Sequence, residues 1–330
     1  MISTLKLLAL TILVGSNTAY WGHTYLAEGN DKIYALRSLS PSSLCVFDDD
    51  VLKGREGVVE LASLQTPMTE SFTNGESSCH IVLLDREAVV ADYTSGTLTL
   101  YPLNRRGAVC GEARLLQFEG SSVHPTRQKS PHIHSSAISP DGKSVVVVDL
   151  GCDKLYRFAV KNGRIAEQLS TIATPSGCGP RFSTFSPNGK YLYVVTELSD
   201  EVLVYNTADY TLLNKYSLHT ANPGGGAHIA LSHSGRYLYA SLRVSSVAKD
   251  CPISDGVAIY ECLADGKLRK LHYQPTSGHP RHFAISADDK ALVVACRDDD
   301  VVEVYPLENG VPVGRVEKIS VSQPVYVGLR

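Results

Sequence analysis

The sequence predicts an all-β protein, a seven-bladed β-propeller that forms a single domain over residues 1–330. Three observations lead to this fold class. A hairpin unit recurs along the chain, paired residues mark its copies at intervals of 44 to 54 positions, and residues 130–320 contain no amphipathic helix of ten or more residues. An α/β barrel of the same length would need such helices between its strands. Four predicted strands in each repeat of about 45–50 residues correspond to one propeller blade.

The recurring hairpin has a polar turn between two apolar runs. Asp-Gly and Asn-Gly supply the positive φ that a tight turn needs, and the following runs are rich in β-branched and aromatic residues. The turns are Ser139-Pro140-Asp141-Gly142-Lys143, Ser186-Pro187-Asn188-Gly189-Lys190, Ser232-His233-Ser234-Gly235-Arg236 and Ser286-Ala287-Asp288-Asp289-Lys290.

A two-residue mark that precedes each turn sets the number of blades. The marks are Cys79-His80, Ile133-His134, Pro180-Arg181, Ala227-His228, Pro280-Arg281 and Pro324-Val325. Tyr20 marks a degenerate first blade, whose second strand is predicted at Lys32-Ile33-Tyr34-Ala35-Leu36. The count from Tyr20 to Val325 is seven.

The last repeat contains one strand, Gln323 to Arg330, after which the sequence stops. Propellers close their ring by completing the last blade with N-terminal strands, and Thr4 to Val14 is the candidate strand here. About two outer strands of the closing blade are then missing, so we predict a blade that is incomplete at the N-terminus.

The same N-terminal segment has a second interpretation. Met1 to Gly15 carries one lysine followed by an apolar run, which is typical of a secretory signal. Residues 1–17 are therefore either a closing strand in a cytoplasmic protein, which we favour, or a signal segment of a secreted one. No other stretch approaches the roughly 18 apolar residues of a membrane span, so no membrane association is expected.

Composition excludes several functional classes. Hydrophobic residues make up 43% and charged residues 20% of the chain, which is typical of a folded core. A net charge of −3 argues against a nucleic-acid partner. The eight cysteines include no C-x-x-C pair, so we predict buried, reduced thiols and no zinc site. A monomer or a weak homodimer is expected.

Polar residues at repeat-equivalent positions indicate where a site lies. The paired mark places a basic or imidazole side chain in five blades, and a second polar position follows 15 or 16 residues later. The first set is His80, His134, Arg181, His228 and Arg281, and the second is Asp149, Glu197, Arg243 and Arg297. These side chains either pair with one another to line a wet channel or form a cationic funnel for an anionic small molecule. His132 and His134 have the spacing of a metal pair, but no third ligand is evident, so no metal is predicted.

Three longer motifs resemble one known family. They are Gly120-Ser121-Ser122-Val123-His124-Pro125-Thr126-Arg127-Gln128 with Pro131-His132-Ile133-His134-Ser135, then Val148-Asp149-Leu150-Gly151-Cys152-Asp153-Lys154, then Gly179-Pro180-Arg181 with Thr196-Glu197-Leu198. Together they are similar to the seven-bladed lactonase family, which includes propeller-type 6-phosphogluconolactonases and fungal carboxymuconate-lactonizing enzymes. The similarity runs from about residue 77 to the end.

The resemblance implies a hydrolase that opens 6-phosphogluconolactone to 6-phosphogluconate in the pentose phosphate pathway, without a metal or an organic cofactor. The positions that match the family's catalytic set are His134, Arg181, Glu197 and Arg243. In the corresponding hypothesis Glu197 deprotonates water, either arginine stabilises the oxyanion, and His134 protonates the leaving oxygen. The substrate-binding candidates are His132, Asp149, His228, Arg281 and His80.

Three neighbours of this set depart from the family pattern: Phe182, Thr196 and Leu242 stand where the family usually has polar residues. They raise the question of which lactone the site accepts. Two alternatives to the lactone hydrolase follow, a carboxymuconate-type lactonizing cycloisomerase and a non-catalytic propeller that binds a ligand or a protein.

The two interpretations of the N-terminus differ in what the mature protein contains. We expect mass spectrometry of the mature protein to detect the peptide Met1 to Gly15, because a cleaved chain would leave the last blade with a single strand. Absence of that peptide would support the signal segment instead.

Overall fold

The computed structural model describes residues 11–16, 23–29, 31–37, 42–52, 57–60, 67–73, 75–220, 223–244 and 253–330. It confirms the prediction of an all-β seven-bladed propeller. The predicted first mark, Tyr20, and the segment before residue 11 lie outside the described residues. Two short 3-10 helices occur in the described part, at Asp49–Leu52 and Arg297–Asp299. Among the described residues, no helix has the length and apolar character that crossing a bilayer requires.

The described strands follow one another in a regular order. In the first half of the chain they are β1 (Ile12–Ser16), β2 (His23–Gly29), β3 (Lys32–Arg37), β4 (Ser43–Asp48), β5 (Val58–Glu60), β6 (Thr69–Phe72), β7 (Ser78–Leu84), β8 (Glu87–Asp92), β9 (Thr97–Pro102), β10 (Arg114–Gln117), β11 (Ile133–Ile138), β12 (Ser144–Asp149), β13 (Lys154–Lys161) and β14 (Arg164–Ala173). In the second half they are β15 (Pro180–Phe185), β16 (Tyr191–Thr196), β17 (Glu201–Asn206), β18 (Leu212–Ser217), β19 (Gly226–Leu231), β20 (Tyr237–Leu242), β21 (Gly256–Cys262), β22 (Leu268–Pro275), β23 (Pro280–Ile285), β24 (Ala291–Cys296), β25 (Val301–Glu308), β26 (Val311–Pro312), β27 (Glu317–Ser320) and β28 (Pro324–Leu329).

Seven sheets surround a central channel. Five have four strands in the orders β2-β3-β4-β6, β7-β8-β9-β10, β11-β12-β13-β14, β15-β16-β17-β18 and β19-β20-β21-β22. In the sixth, β23-β24-β25 continues to both β26 and β27, and the seventh has the order β28-β1-β5. The innermost strands β2, β7, β11, β15, β19, β23 and β28 each contact the next one around the ring, and β28 contacts β2.

The second strands of the blades are buried on both faces because neighbouring sheets pack against each other face to face. All six residues of β12 and all six of β24 are buried. Val146 and Val148 of β12, for example, pack with Leu192 and Val194 of β16 in the next blade. This double burial explains why the apolar runs in the sequence are continuous and do not alternate with polar residues.

The closing blade confirms one expectation and adds a feature that was not predicted. Strand β28 pairs antiparallel with β1, with Ile12 opposite Leu329, so an N-terminal strand does complete the last repeat. Of the predicted strand Thr4 to Val14, residues 12–14 belong to β1. A third strand, β5, pairs parallel with β1, with Ile12 opposite Val58. It comes from the connection between β4 and β6 of the first blade, so the described closing blade lacks one outer strand of the usual four and not two.

Each innermost strand contains a β-bulge at the same height. The register shifts fall between His23 and Tyr25, Ser78 and His80, Ile133 and Ser135, Pro180 and Phe182, Gly226 and Ile229, Pro280 and His282, and in β28 opposite Gly15 and Ser16. A bulge inserts an unpaired residue and redirects its side chain, and bulges are common next to active sites. All seven extra residues lie at the end of the channel where the innermost strands begin.

Aspartates just before the third strands join adjacent blades, and three of the four, Asp153, Asp200 and Asp255, are buried. The Asp200 carboxylate accepts the backbone N–H groups of Gly224 at 2.7 Å and Gly226 at 2.8 Å, which lead into the next blade. Asp153 makes the same pair of bonds to Gly177 and Gly179. Asp255 and Asp300 accept from the loops that precede β23 and β28 at 2.5 and 2.7 Å.

Seven cysteines of the described part are free thiols.

Replacing Asp200 with alanine tests this connection between blades. We expect Asp200→Ala to lower the free energy of unfolding by about 1–3 kcal/mol, because two buried N–H groups lose their acceptor. Thermal or urea denaturation measures the change. Asp85→Ala, at an exposed turn, is the matched control and should change stability by less than about 0.5 kcal/mol. Equal stabilities of the two variants would contradict the role given to Asp200.

Candidate active site

A pocket of about 350 Å³ opens at the end of the channel where the innermost strands begin. Its lining is Ser77, Ser78, Cys79, Tyr93, Arg127, His134, Arg181, Glu197, Arg243, Arg281, Arg297 and Val325. Five guanidinium groups face one carboxylate, so the pocket carries a net positive charge and suits an anionic ligand.

Two repeat positions supply nine of these twelve residues. The first is the bulged residue of the innermost strand, and it contributes Cys79, His134, Arg181, Arg281 and Val325. The second is the residue that directly follows the second strand, and it contributes Tyr93, Glu197, Arg243 and Arg297. The fold therefore gathers at one mouth side chains that are some 50 residues apart in sequence.

Glu197 is the centre of the charged groups. Its Oε2 accepts hydrogen bonds from Arg181 Nε at 2.7 Å and Arg243 Nη2 at 3.0 Å. Its Oε1 accepts from Arg127 Nη2. Backbone carbonyl oxygens hold the two buried arginines from behind: Ala227 accepts from Arg181 at 2.6 Å, and Gly225 accepts from Arg243 at 3.0 Å. Each oxygen of the carboxylate is thus charge-paired.

The pKa values follow from burial and from these pairs. Burial alone would raise the pKa of Glu197, but the guanidinium groups of Arg243, Arg181 and Arg127 hold it well below its usual range. Burial, together with Arg243, lowers the pKa of Arg181 to about 9 and that of Arg281 to about 10. Both guanidiniums remain charged at neutral pH, and so does the Glu197 carboxylate.

Arg281 differs from the other arginines of the pocket. Its side chain makes no hydrogen bond and no ion pair with any residue in the part of the chain that the structure describes. Arg297, at the rim, is held by Asp298 through Nε at 2.7 Å. The guanidinium of Arg281 therefore faces the pocket with its donors available to a ligand.

His134 lies in the pocket as a neutral imidazole. Burial and the positive charge of Arg181 lower the pKa of His134 well below 6.5. The Cys79 thiol, whose pKa burial raises to about 12, donates to the His134 carbonyl oxygen at 3.4 Å. A neutral imidazole can donate or accept a hydrogen bond, but it does not supply the proton of an imidazolium, so the leaving-group role predicted for His134 is not supported.

His80 and His228, predicted to bind substrate, lie one position beyond the bulge and do not line the pocket. The bulged residues in their strands are Cys79 and Ala227, so the sequence register was displaced by one in these two blades. Both imidazoles belong to a layer beneath the pocket, where they contact Phe182 at centroid distances of 5.1 and 5.0 Å. Burial lowers the pKa of His80 to about 3. His228 lines a separate cavity of about 380 Å³ on the other side of this layer.

Asp149 and His132 are also outside the pocket lining. Asp149 ends β12, one residue short of the position that Glu197 occupies in the next blade, and its carboxylate accepts the backbone N–H groups of His132, Gly151 and Cys152 at 2.9, 2.9 and 3.1 Å. These three bonds occupy the Asp149 carboxylate within its own blade. His132 stacks on Tyr93 with ring centroids 4.4 Å apart, behind the pocket wall.

The three departures from the family pattern leave the charged groups intact. Phe182 lies in the layer beneath the pocket and contacts the Arg181 guanidinium from below, 5.2 Å from the ring centroid. The Thr196 hydroxyl accepts the Glu201 N–H at 2.8 Å, and Leu242 is fully buried in the hydrophobic core. None of the three lines the pocket, so they do not contact a ligand bound there.

Arg127 and Tyr93 are pocket residues that the sequence reasoning missed. Arg127 comes from the loop between β10 and β11, which is longer than the corresponding loops before β15, β19, β23 and β28, although it stands inside one of the recognised motifs. Tyr93 could have been found, since it directly follows the second strand of its blade as Glu197 does. Within the described ranges, no three His, Cys, Asp or Glu side chains are grouped closely enough to hold a metal ion.

Comparisons with known proteins show which family and which solved structures this chain is similar to. Residues 55–329 match the family model described as "Lactonase, 7-bladed beta-propeller". A 6-phosphogluconolactonase of Bacillus subtilis (strain 168) is 30% identical over 278 residues, which cover 79% of this chain and 76% of that protein. A 6-phosphogluconolactonase of Formosa agariphila is 29% identical over 70% of this chain and 65% of its own length, slightly under two thirds. A solved structure from Bacteroides fragilis NCTC 9343, provisionally assigned as a 6-phosphogluconolactonase, covers 100% of both chains with 27% identity and a TM-score of 0.86.

Replacing Glu197 should affect stability as well as activity. We expect Glu197→Gln to lower the free energy of unfolding by about 3 kcal/mol or more, because Arg181 and Arg243 would remain buried without their counter-charge. Chemical denaturation measures this. Glu261→Gln is the matched control, since Glu261 also pairs with two arginines, Arg236 and Arg269, but at the surface, where the loss should stay under about 1 kcal/mol. Equal losses would show that Glu197 has no special structural role.

Proposed function

This chain belongs to the seven-bladed β-propeller lactonase family, and from that premise we propose that it hydrolyses 6-phosphogluconolactone to 6-phosphogluconate. The observation that carries the proposal is the pocket in which five guanidinium groups surround a single buried carboxylate. Guanidinium groups bind phosphate and carboxylate oxygens with paired hydrogen bonds. A phosphorylated sugar lactone brings both the negative charge that the pocket lacks and the ester carbonyl that a lactonase attacks.

Binding and chemistry divide among different side chains. Arg281, which has no protein partner in the described part, binds the phosphate of the substrate. Arg181 and Arg243 lie beside Glu197 and stabilise the oxyanion that develops on the lactone carbonyl oxygen. His134 donates a hydrogen bond to the sugar as a neutral imidazole and so orients the lactone ring.

Glu197 moves the proton in this mechanism. Its carboxylate takes a proton from a water molecule as the water oxygen bonds to the lactone carbonyl carbon. The tetrahedral intermediate then collapses, the bond between that carbon and the ring oxygen breaks, and the proton passes from Glu197 to the ring oxygen. The product is the open hydroxy acid, and Glu197 regains its charge.

Several expectations from the sequence accompany this function as proposals. The reaction places the enzyme in the pentose phosphate pathway and therefore in the cytoplasm, as a monomer or a weak homodimer. The substrate is a small anionic sugar lactone, and the mechanism uses no cofactor. His80, His132, His228 and Asp149 are not among the proposed ligands, because the structure places them outside the pocket lining.

Purified protein incubated with fresh 6-phosphogluconolactone tests the proposal, with carboxymuconate as the parallel substrate. We expect acceleration of lactone hydrolysis only.

Arg281→Met should raise KM about 10- to 100-fold, the loss typical of a hydrogen bond to a charged group, with little effect on stability. Arg315→Met, at an exposed arginine, is the matched control. Acceleration of carboxymuconate cyclisation alone would favour the cycloisomerase, and acceleration of neither reaction would favour the binding module.

A further inference from the structure

Arg127 is the one arginine of the pocket that comes from neither of the two repeat positions, and contacts of its loop fix its backbone. The next residue, Gln128, is fully buried and donates through Nε2 to the Leu150 carbonyl at 2.9 Å. Ser122 of the same loop donates to the Asp153 carboxylate at 2.5 Å. The N–H of Arg127 itself donates to His124 Nδ1 at 3.2 Å. These contacts therefore hold the backbone of Arg127 in one position beside the pocket.

The guanidinium of Arg127 is held less firmly than its neighbours on Glu197. The side chains of Arg181 and Arg243 are 2% and 8% exposed and are anchored on backbone carbonyls. The side chain of Arg127 is 36% exposed, and its other polar partner is the Tyr93 hydroxyl at 3.1 Å. Ion pairs open to solvent are weak, so this pair can be exchanged for another anion more readily than the two buried ones.

The carboxylate oxygens of Glu197 are not equivalent. Arg181 and Arg243 both bind Oε2, whereas Arg127 is the donor on Oε1. Departure of Arg127 would free Oε1 and leave the other two pairs in place. It would also remove one of the three cations that hold the pKa of Glu197 well below its usual range, and a carboxylate with a higher pKa is a better proton acceptor near neutral pH.

We propose that Arg127 is a specificity-determining residue that leaves Glu197 for the phosphate of the substrate and thereby frees Oε1 of Glu197 to accept the proton of water. The inference rests on the proposed function and deepens it. A phosphate monoester attracts the guanidinium more strongly than a sugar hydroxyl does, because it offers a full negative charge and several acceptor oxygens. When the lactone carries no phosphate, Arg127 stays bound to Glu197, and Oε1 of Glu197 is not available to accept the proton of water.

The test compares two lactones in one set of variants. Arg127→Met should lower kcat/KM for 6-phosphogluconolactone about 10- to 100-fold, the range for loss of a hydrogen bond to a charged group. It should raise kcat/KM for glucono-1,5-lactone, because Oε1 of Glu197 is then no longer occupied by Arg127. Arg127→Lys should recover part of the loss. Lys129→Met is the matched control, since it removes an exposed positive charge from the same loop outside the pocket lining.

The acid limb of the pH profile gives a second readout. For wild type with 6-phosphogluconolactone, the limb of kcat should lie at higher pH than the limb of kcat/KM, because kcat reports the bound state, in which Glu197 has lost a cation. In Arg127→Met this separation should shrink, because the cation is already absent from the free enzyme. A purely structural role of Arg127 would move both limbs together or neither.

The outcomes separate the two proposals. If Arg127→Met lowered kcat/KM equally for both lactones, so that the ratio between them stayed the same, the role of Arg127 would be overturned. The lactonase function would still stand. Wild-type protein that hydrolyses neither lactone would overturn the proposed function and this inference with it.

Discussion

One extra backbone residue near the start of each innermost strand decides which side chains reach the pocket. The bulge turns Arg181, His134 and Arg281 toward the channel mouth, while the next residue in each strand, such as Phe182, points into the layer beneath. The second strands end at the same height, so Glu197 meets the redirected arginines there. A ladder without bulges would not present these groups at one level, and the charged site therefore depends on the repeated irregularity.

The layer beneath the pocket makes the charge pairing stronger. Tyr25 contacts Phe182, His282 and Tyr326, and His282 contacts Tyr326, with ring centroids 4.5 to 6.1 Å apart. The imidazole of His282 is neutral, because burial lowers its pKa to about 3. A floor without ionised groups keeps the local dielectric low, so each guanidinium acts strongly on Glu197. The same desolvation explains why Arg181 must be paired: an isolated charge in this position would be costly.

The sequence predicted the parts of the molecule that local chemistry determines. Turn residues and strand spacing predicted the number of blades. Repeat-equivalent positions at the ends of strands identified Arg181, Glu197, Arg243 and Arg281 as residues of the channel mouth. Asp149 was expected in the pocket because spacings of 15 and 16 residues were treated as equivalent, although Asp149 corresponds to Thr196, the last residue of β16, and not to Glu197. The bulge positions displaced two histidines by one residue in the same way. The repeat could not predict Arg127, because a long loop and not a repeat position contributes it. Nor could it predict β5, because β5 pairs with β1, a strand distant in sequence.

Closure of the ring and formation of the pocket are one event in this fold. Strand β28 supplies Val325 to the pocket lining and Tyr326 to the layer beneath it, so one of the seven sectors around the channel is completed only when β28 is in place. Its outer edge is covered by β1, and β1 in turn by β5 from the first blade. The first blade therefore fastens the last through the backbone hydrogen bonds between β5 and β1. These bonds hold the innermost closing strand at the height where the charged groups of the pocket converge.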